Sequence, residues 1–202
     1  MLAFLGWNPG TNQEIFSLEE LVAAFNLDKV NKAGARFDFD KAKWFNQQHL
    51  RLQPEAELVD AYLSEARDRG ISIPSSEFAL QAMHLFMDRA EFIGDTLDGA
   101  AYLFADPTSY DEVMVGKKWT AEAPGYVSDL KGVFAQTDYS EASLENAFKA
   151  YLADKGYGFG QVGPVLRLAI AGTTQGPSIF MVMQLIGQET SERRIENALR
   201  TL

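Results

Sequence analysis

Apolar residues recur along this chain at intervals of three and four positions, and this helical spacing constrains the fold more than any other feature. The clearest example follows Ser17, which has Glu20 at the spacing of a capping box, and consists of Leu18, Leu21, Val22 and Phe25. The spacing returns in residues 59–66, 144–152, 179–186 and 195–202. The alternation typical of strands is nearly absent, with residues 36–39 as the one short candidate. The sequence therefore predicts an all-α protein.

Residues that end helices divide the chain further. A helix-ending glycine follows three of the apolar stripes, at Gly70, Gly156 and Gly187. The polar run Asp-Pro-Thr-Ser-Tyr at residues 106–110 follows a helical stretch, and it predicts a domain boundary near these residues. We therefore predict two consecutive helical bundles, residues 1–106 and residues 107–202. No internal repeat is visible, which disfavours a helical solenoid.

Composition excludes several classes of protein and site. With 202 residues, 47% of them hydrophobic, the chain can bury one large core or two small ones. No apolar run approaches the roughly 18 residues of a membrane span, and the apolar start lacks a basic leader and breaks at residues 6–10. The absence of cysteine excludes disulfides and thiol catalysis, and two histidines argue against a metal cluster or a Ser-His-Asp triad. These features predict a soluble cytoplasmic protein with no membrane partner.

Sequence motifs of catalysis are also missing. The sequence has no P-loop, no H-E-x-x-H and no G-x-S-x-G. The glycine-rich run at residues 156–160 lacks the Lys-Ser/Thr pair that would hold phosphate and metal, so a helix-ending turn is the better interpretation. Neighbouring acids such as Asp111 and Glu112 point about 100° apart on a helix and do not converge on one substrate. We therefore predict no catalytic residue and no metal ligand in this chain.

The net charge of −10 argues at first against a nucleic-acid partner, but the charge is unevenly distributed. Residues 29–51 contain six basic and two acidic side chains, and residues 149–202 contain six basic and four acidic ones. Residues 52–148 contain eighteen acidic and six basic side chains. Because the Debye length is about 10 Å at 0.1 M salt, basic faces can act separately from this acidic middle. Ordinary solvated helix faces are the alternative for each of these charges.

The basic segment 29–51, which includes Lys32, interleaves cations with aromatic and amide side chains. Lysine and arginine contact phosphates, amides reach sugar hydroxyls or base edges, and exposed aromatic rings stack on bases. Trp44 and Phe45 fit better as core anchors of a short helix, because large aromatics at a helix start usually bury. For Lys41 and Lys43, an RNA-facing role and a plain solvated surface are both open.

A further cation, Arg167, lies within the apolar run 165–170, on a helix predicted to begin at Gly163-Pro164. An arginine there must reach solvent, pair with an acid or serve a ligand. The residues alone favour a salt bridge or an extension to solvent. A planar guanidinium is also suited to stacking on a base or to bidentate contact with a phosphate.

Two phrases of the sequence resemble bacterial-type glutamyl-tRNA synthetases. Residues 39–46, Phe-Asp-Lys-Ala-Lys-Trp-Phe-Asn, are similar to the family phrase Phe-Asp-x-x-Lys-Leu-x-Trp-Leu-Asn, with Ala42 and Phe45 as departures. Residues 164–172 are close to Pro-x-Arg-x-Ala-Leu-Thr-Gly, with Ala171 in place of threonine, and a Gly-Pro and an apolar pair follow at 176–180. The family's K-x-S-K-R loop and H-I-G-H-like signature do not occur in this chain.

This resemblance implies roles for particular residues. Anticodon contacts are implied for Arg167, Ile179, Phe180 and, from a weaker match with different spacing, Arg89. Some family members read the third anticodon base with an arginine of the first bundle, which is the role implied for Arg89. Contacts with the tRNA backbone are predicted for Arg36, Lys41, Lys43, Asn46, Lys149, Lys155 and Arg194.

The resemblance implies that the chain is the C-terminal part of a class I glutamate–tRNA ligase, with Met1 as an internal methionine or one introduced for expression. Residues 1–106 would contact the tRNA stem, and residues 107–202 would bind the anticodon of tRNA-Glu. ATP and Mg would be used by a catalytic domain of the same polypeptide, so this chain alone is expected to be inactive, without a cofactor or a DNA partner. An acidic helical protein-interaction domain without RNA binding is the alternative, and recognition of tRNA-Gln is left open.

Overall fold

The computed structural model describes residues 1–31, 34 and 36–202, and these residues form helices joined by turns, with irregular segments before and after the first helix. The predicted all-α class is confirmed, since the β pairing found in this part of the chain is one isolated bridge between Trp7 and Val30. The strand candidate 36–39 is irregular up to Asp38, whose carboxylate caps the helix that begins at Phe39. The described residues form α1 (Leu18–Ala24), α2 (Phe39–Leu50), α3 (Glu55–Asp68), α4 (Ser76–Met87), α5 (Ile93–Asp98), α6 (Ala101–Phe104), α7 (Glu112–Lys118), α8 (Ala123–Phe134), α9 (Glu141–Lys155), α10 (Phe159–Ala171) and α11 (Ile179–Thr201).

Side-chain oxygens cap several of these helices. Ser17 Oγ accepts a hydrogen bond from Glu20 N at 3.1 Å, and the Glu20 carboxylate accepts one from Ser17 N at 2.7 Å, which confirms the predicted capping box. Four later helices begin in a similar way, with oxygens of Ser75, Asp111, Ser140 and Ser178 that accept from the first turn. Local sequence is therefore sufficient to start these helices.

Helix α10 begins at Phe159, earlier than the predicted start at Gly163-Pro164, which is wrong. Pro164 lies inside the helix, where it cannot donate to the carbonyl of Gly160 four residues before it. Lys118 Nζ donates to that carbonyl at 3.3 Å instead, so a side chain from α7 replaces the missing backbone donor. The run 156–160 begins with the predicted helix-ending turn, at residues 156–158, and its last two residues already belong to α10. Residues 158–163 have the spacing G-x-G-x-x-G, but they follow a helix and not the strand that a dinucleotide site requires.

A continuous apolar core joins helices from most of the chain, and α10 is its most buried member. It includes residues from Leu58 in α3 to Ala198 in α11, and therefore lies on both sides of residue 106. Helix α11 contacts α8, α9 and α10, and also α4 and α6. The backbone of α11 is interrupted at Gly187, where the sequence predicts a helix end. The division into two bundles at residue 106 stays a prediction.

The first fifty residues form a smaller aromatic cluster of their own. The ring of Phe4 lies 6.0 Å from that of Trp7, 5.9 Å from that of Phe16 and 5.5 Å from that of Phe45, measured between centroids. Phe45 is buried, as the core-anchor interpretation predicts, whereas Trp44 is 38% exposed. This cluster holds α2 in place beside the large core.

Candidate nucleic-acid interface

A cleft of about 770 Å³ lies where three segments meet, with walls formed by residues 84–90, 95–102 and 173–181. The first segment contains the end of α4 and the loop after it, the second spans α5 and α6, and the third joins α10 to α11. Its volume falls within the roughly 300–1,000 Å³ of ligand pockets. Because these segments are distant in sequence, the cleft is a product of tertiary packing.

Arg167 projects from α10 towards the third segment of the cleft. Its Nη2 donates to the carbonyl of Pro177 at 2.6 Å, and its Nη1 is buried without a hydrogen-bond partner among the described residues. Burial lowers the pKa of this guanidinium from its ordinary value, although arginine stays charged in proteins. No carboxylate within the described ranges pairs with Arg167, so the favoured salt bridge is not formed. The guanidinium holds the loop, and its Nη1 donor is enclosed beneath that loop.

Gly176 brings the loop into close contact with Arg167 and with Tyr102. Its φ is +131°, and a Cβ at this position would lie 2.7 Å from Tyr102 Oη and 3.3 Å from Arg167 Nη1. A side chain would therefore require both groups to move, in a backbone region that favours glycine. Tyr102 Oη is also buried with no partner in the part of the chain that is described, and burial raises its pKa, so it is a neutral hydroxyl. Two buried polar atoms, Tyr102 Oη and Arg167 Nη1, thus lie against Gly176 without a hydrogen-bond partner among the described residues.

Gly172 explains the end of the sequence phrase that contains Arg167. It is the C-cap of α10 with a φ of +72°, and a Cβ there would lie 2.7 Å from the carbonyl oxygen of Ser109. Its own carbonyl accepts a hydrogen bond from Asp111 N at 2.9 Å. The glycine lets the start of α7 pack on the end of α10, and it thereby fixes where the loop to α11 begins.

Arg89 is exposed and lines the cleft next to three aspartates. Asp95 accepts hydrogen bonds from two backbone amides of the loop before α5, and Asp98 forms an ion pair with Arg69 at 2.5 Å. The guanidinium of Arg89 has no ion-pair partner among the residues that the structure describes. It is therefore an available cation at the rim of an otherwise acidic cleft.

Ile179 and Phe180 belong to the apolar core, and the Phe180 ring lies 5.4 Å from that of Phe148. This burial argues against direct base contacts by their side chains, and their anticodon role stays a prediction. Sequence reasoning missed Tyr102 and Met181, which line the cleft in their place. The helical spacing contained a signal for Met181. If Ile179 faces the core, Met181 two positions later lies on the opposite face of the same helix.

Most side chains of the first fifty residues that are predicted to contact the tRNA backbone bind other groups of the protein. Lys41 Nζ lies 2.7 Å from a carboxylate oxygen of Glu14, and Lys43 Nζ lies 3.2 Å from one of Glu91. Asn46 Nδ2 donates to the carbonyl of Glu91 at 2.5 Å. Exposed ion pairs exchange readily with other partners, so the two lysines stay candidates for phosphate contact.

Three other cations predicted to contact the backbone are exposed, namely Arg36, Lys149 and Lys155. Lys149 lies 2.8 Å from Glu145 on the same face of α9, and Lys155 lies 3.7 Å from Asp129. Lys32, part of the same basic segment as Arg36, lies outside the described residues. The predictions for these side chains are compatible with their positions and stay predictions.

The predicted phosphate contact of Arg194 is contradicted by its burial, since only 2% of the residue is exposed. Its Nε donates to Asp106 Oδ1 at 3.0 Å, its Nη1 to the carbonyl of Ile170 at 3.0 Å and its Nη2 to that of Ala105 at 2.9 Å. Every nitrogen of the guanidinium is therefore used inside the protein. Its neighbour Arg193 is exposed and forms a bidentate pair with the same Asp106.

Over residues 1–31, 34 and 36–202, no group of three or more acidic or histidine side chains is arranged to hold a metal ion. In the same residues, no helix combines the length and the apolar character that a membrane crossing requires.

Comparison with known proteins gives two kinds of match. Residues 49–199 match the protein family described as an anticodon binding domain. The chain is 39% identical over 202 residues to the glutamate–tRNA ligase of Flavobacterium johnsoniae, and 33% identical over 202 residues to that of Porphyromonas gingivalis. Each of these matches covers 100% of this chain and 40% of the relative.

Solved structures of glutamate–tRNA ligases also match this chain. A glutamate tRNA ligase from Elizabethkingia meningosepticum, crystallised in complex with its amino acid, superposes with a TM-score of 0.94 at 34% identity. That match covers 100% of this chain and 40% of the solved chain. A glutamate-tRNA synthetase from Elizabethkingia anophelis superposes with a TM-score of 0.90 at 32% identity, and covers 99% of this chain and 39% of the other. The chain thus spans about 40% of the length of the relatives it matches.

Proposed function

This chain belongs to the anticodon-binding domain family and corresponds to the anticodon-binding region of glutamate–tRNA ligases, and we propose that it recognises tRNA-Glu. The observation that carries the proposal is the cleft lined by Arg89 and Tyr102, whose wall at Gly176 covers Arg167 Nη1. Unpaired anticodon bases can be splayed into such a site, because their edges are not occupied by pairing. Direct contacts of Arg89 and Arg167 with anticodon bases are part of this proposal.

The charge of the cleft favours bases over phosphates as its occupants. Asp88, Asp95 and Asp98 lie in its wall beside the single exposed cation Arg89. Carboxylates repel phosphate oxygens, but they accept hydrogen bonds from the amino groups of bases such as cytosine. The guanidinium of Arg89 can stack on a base or donate to its carbonyl. Phosphate contacts would then fall to cations outside the cleft.

A binding titration tests this proposal directly. The chain is titrated with a tRNA-Glu transcript and with a transcript in which the anticodon is exchanged, at low and at moderate salt. We expect tighter binding of the native anticodon at both salt concentrations. Equal binding of the two transcripts would contradict anticodon recognition, and no binding at low salt would favour the acidic protein-interaction domain.

Lysines outside the cleft are proposed to contact the tRNA backbone, with Lys149 and Lys155 on α9 as the clearest candidates. The side chain of Lys149 is 63% exposed. It pairs with Glu145, four residues earlier on the same helix, and not with a residue of another helix. Loss of one phosphate contact lowers the salt dependence of binding by about 0.7–0.9 log unit per log unit of salt.

We expect Lys149→Ala and Lys155→Ala each to weaken binding of both transcripts equally and to reduce the slope of affinity against salt by about 0.7–0.9. The measurement is a salt titration of the dissociation constant for each variant. Lys117→Ala, which removes another exposed lysine, is the control and should leave the slope unchanged. An unchanged slope in all three variants would remove α9 from the proposed interface.

The first fifty residues carry an exposed apolar surface, for which we propose contact with the part of a glutamate–tRNA ligase outside the matched region. Helix α1 buries none of its residues, Leu18 and Val22 lie exposed on it, and the exposed Phe25 follows its last residue. Exposed apolar patches of this kind mark interaction sites. In the complete enzyme, that other part would aminoacylate tRNA-Glu with ATP and Mg, and we expect this chain alone to catalyse neither activation nor transfer.

We expect Val22→Asp to weaken binding of this chain to the separately expressed remainder of the Flavobacterium johnsoniae ligase by about tenfold, because a charge is placed in an apolar contact. Val22 is 71% exposed, so the variant should fold normally. Val113→Asp is the control, since Val113 is 64% exposed on α7, away from this surface. Calorimetry measures both affinities, and equal losses for the two variants would contradict the assignment of the surface.

A further inference from the structure

Helix α2 is tied to the large bundle through the loop that joins α4 to α5. Arg51 Nη2 donates to the carbonyl of Asp88 at 2.7 Å, and Asn46 Nδ2 donates to the carbonyl of Glu91 at 2.5 Å. Gln47 Nε2 makes a longer contact with the carbonyl of Asp88, at 3.4 Å. Two side chains of α2, and Arg51 directly after it, thus donate to two carbonyls of a single short loop.

These hydrogen bonds link α2 to the bundle together with the ion pair between Lys43 and Glu91 and the packing of Leu50 against the large core. In the part of the chain that the structure describes, α2 does not belong to any pair of helices in extensive contact. The buried residue of α2 is Phe45, which packs in the aromatic cluster of the first fifty residues and not in the large core. The position of α2 and the shape of the loop therefore depend on each other.

The loop in question carries Arg89, the exposed cation at the rim of the cleft. Arg89 follows Asp88 directly and precedes Glu91 by two positions, so the two bound carbonyls flank it on either side. Its amide donates to the carbonyl of Phe86 at 3.1 Å, and Asp95 accepts from the amides of Glu91 and Phe92. The backbone at Arg89 is thus held from α4, from α5 and from α2.

We infer that Asn46 and Arg51 are positioning residues for Arg89, and that they connect the placement of the first fifty residues to base recognition in the cleft. The inference rests on the proposed function, in which Arg89 contacts a base. Without the donors of α2, the carbonyls of Asp88 and Glu91 bond to water and the loop gains alternative conformations. Since base recognition requires a guanidinium in a defined place, discrimination between bases should suffer more than overall affinity.

A double-mutant cycle tests the inference. The combined variant Asn46→Leu, Arg51→Met removes the two shorter hydrogen bonds, leaves the longer contact of Gln47 in place and keeps side chains of similar size, and Arg89→Ala removes the group that they position. The readout is the ratio of dissociation constants for the tRNA-Glu transcript and a transcript changed at its third anticodon base. We expect this ratio to fall about tenfold in the combined variant and to fall no further when Arg89→Ala is added. Arg51→Lys, which keeps a donor, should restore part of the ratio.

Other outcomes have distinct meanings. Arg67→Met, which removes an exposed arginine from α3, is the matched control and should leave the ratio unchanged. An equal loss of affinity for both transcripts in the combined variant would show a purely structural role and overturn the inference, as would full additivity with Arg89→Ala. An unchanged ratio in Arg89→Ala alone would instead remove Arg89 from the proposed function, and the inference would fall with it.

Discussion

Arg194→Met is expected to lower the free energy of unfolding by about 3 kcal/mol, because it removes the buried partner of an ion pair with the partly exposed Asp106 and leaves buried carbonyls without a donor. The substitution leaves the carbonyls of Ala105 and Ile170 without their donor, and it deprives Asp106 of one of two guanidinium groups. Arg193 keeps its bidentate contact with Asp106, which places the expected loss at the lower end of the range for such variants. Urea denaturation at neutral pH measures the change.

Arg193→Met is the matched control for this experiment. The native Arg193 contacts the same carboxylate, but its side chain is 49% exposed, and exposed ion pairs contribute about 0–1 kcal/mol. A loss of less than 1 kcal/mol in Arg194→Met, or an equal loss in the two variants, would contradict the buried role of Arg194. The phosphate contact first predicted for it would then need to be considered again.

The same cluster has a defined pH dependence. Hydrogen bonds from Arg193, and then from Arg194, lower the pKa of Asp106 from 3.8 to about 2. A carboxyl with a lowered pKa in the folded state stabilises the fold above its unfolded pKa, and this stabilisation is lost as the pH falls through the folded pKa. The stability difference between the native chain and Asp106→Asn should therefore shrink between about pH 4 and pH 2. A constant difference over this range would show that Asp106 does not titrate as the geometry requires.

Arg167→Ala is expected to reduce the preference for the native anticodon by about 10- to 100-fold, which corresponds to the roughly 1–3 kcal/mol of a specific base contact. Two effects combine in this variant. The donor at Nη1 is lost, and the carbonyl of Pro177 loses the hydrogen bond that fixes the loop over the cleft. The readout is the ratio of dissociation constants for the native and the anticodon-exchanged transcripts.

Arg167→Lys separates charge from geometry. Lysine keeps the cation but cannot donate to Pro177 and to a base through one planar group, so it should retain affinity for both transcripts and lose most of the preference. Arg200→Ala, at an exposed position of α11, is the control for loss of an arginine elsewhere. An unchanged ratio in Arg167→Ala would show that the guanidinium only supports the loop. Circular dichroism confirms that each variant is folded before the titration.

Local features of the sequence were sufficient for the helical class and for several helix boundaries. The capping box at Ser17, the helix end at Gly156 and the break of the helix at Gly187 occur as predicted, whereas the turn predicted at residues 156–160 is limited to residues 156–158. These features depend on hydrogen bonds and backbone angles within a few residues, which the sequence specifies directly. The start of α10 was predicted wrongly because a lysine of another helix compensates for Pro164, and such a partner is invisible locally.

The sequence by itself determined the helical class, the helix ends and, through two short phrases, the resemblance to glutamyl-tRNA synthetases. Only the tertiary structure decided which polar side chains are available. Arg193 and Arg194 are adjacent and chemically identical, yet one is exposed and the other is buried against Asp106. Burial depends on contacts between distant segments, and the cleft likewise forms where the loops after α4 and α10 meet. Helical spacing assigns a residue to a face of its helix, but the neighbours of that face are set by packing across the whole chain.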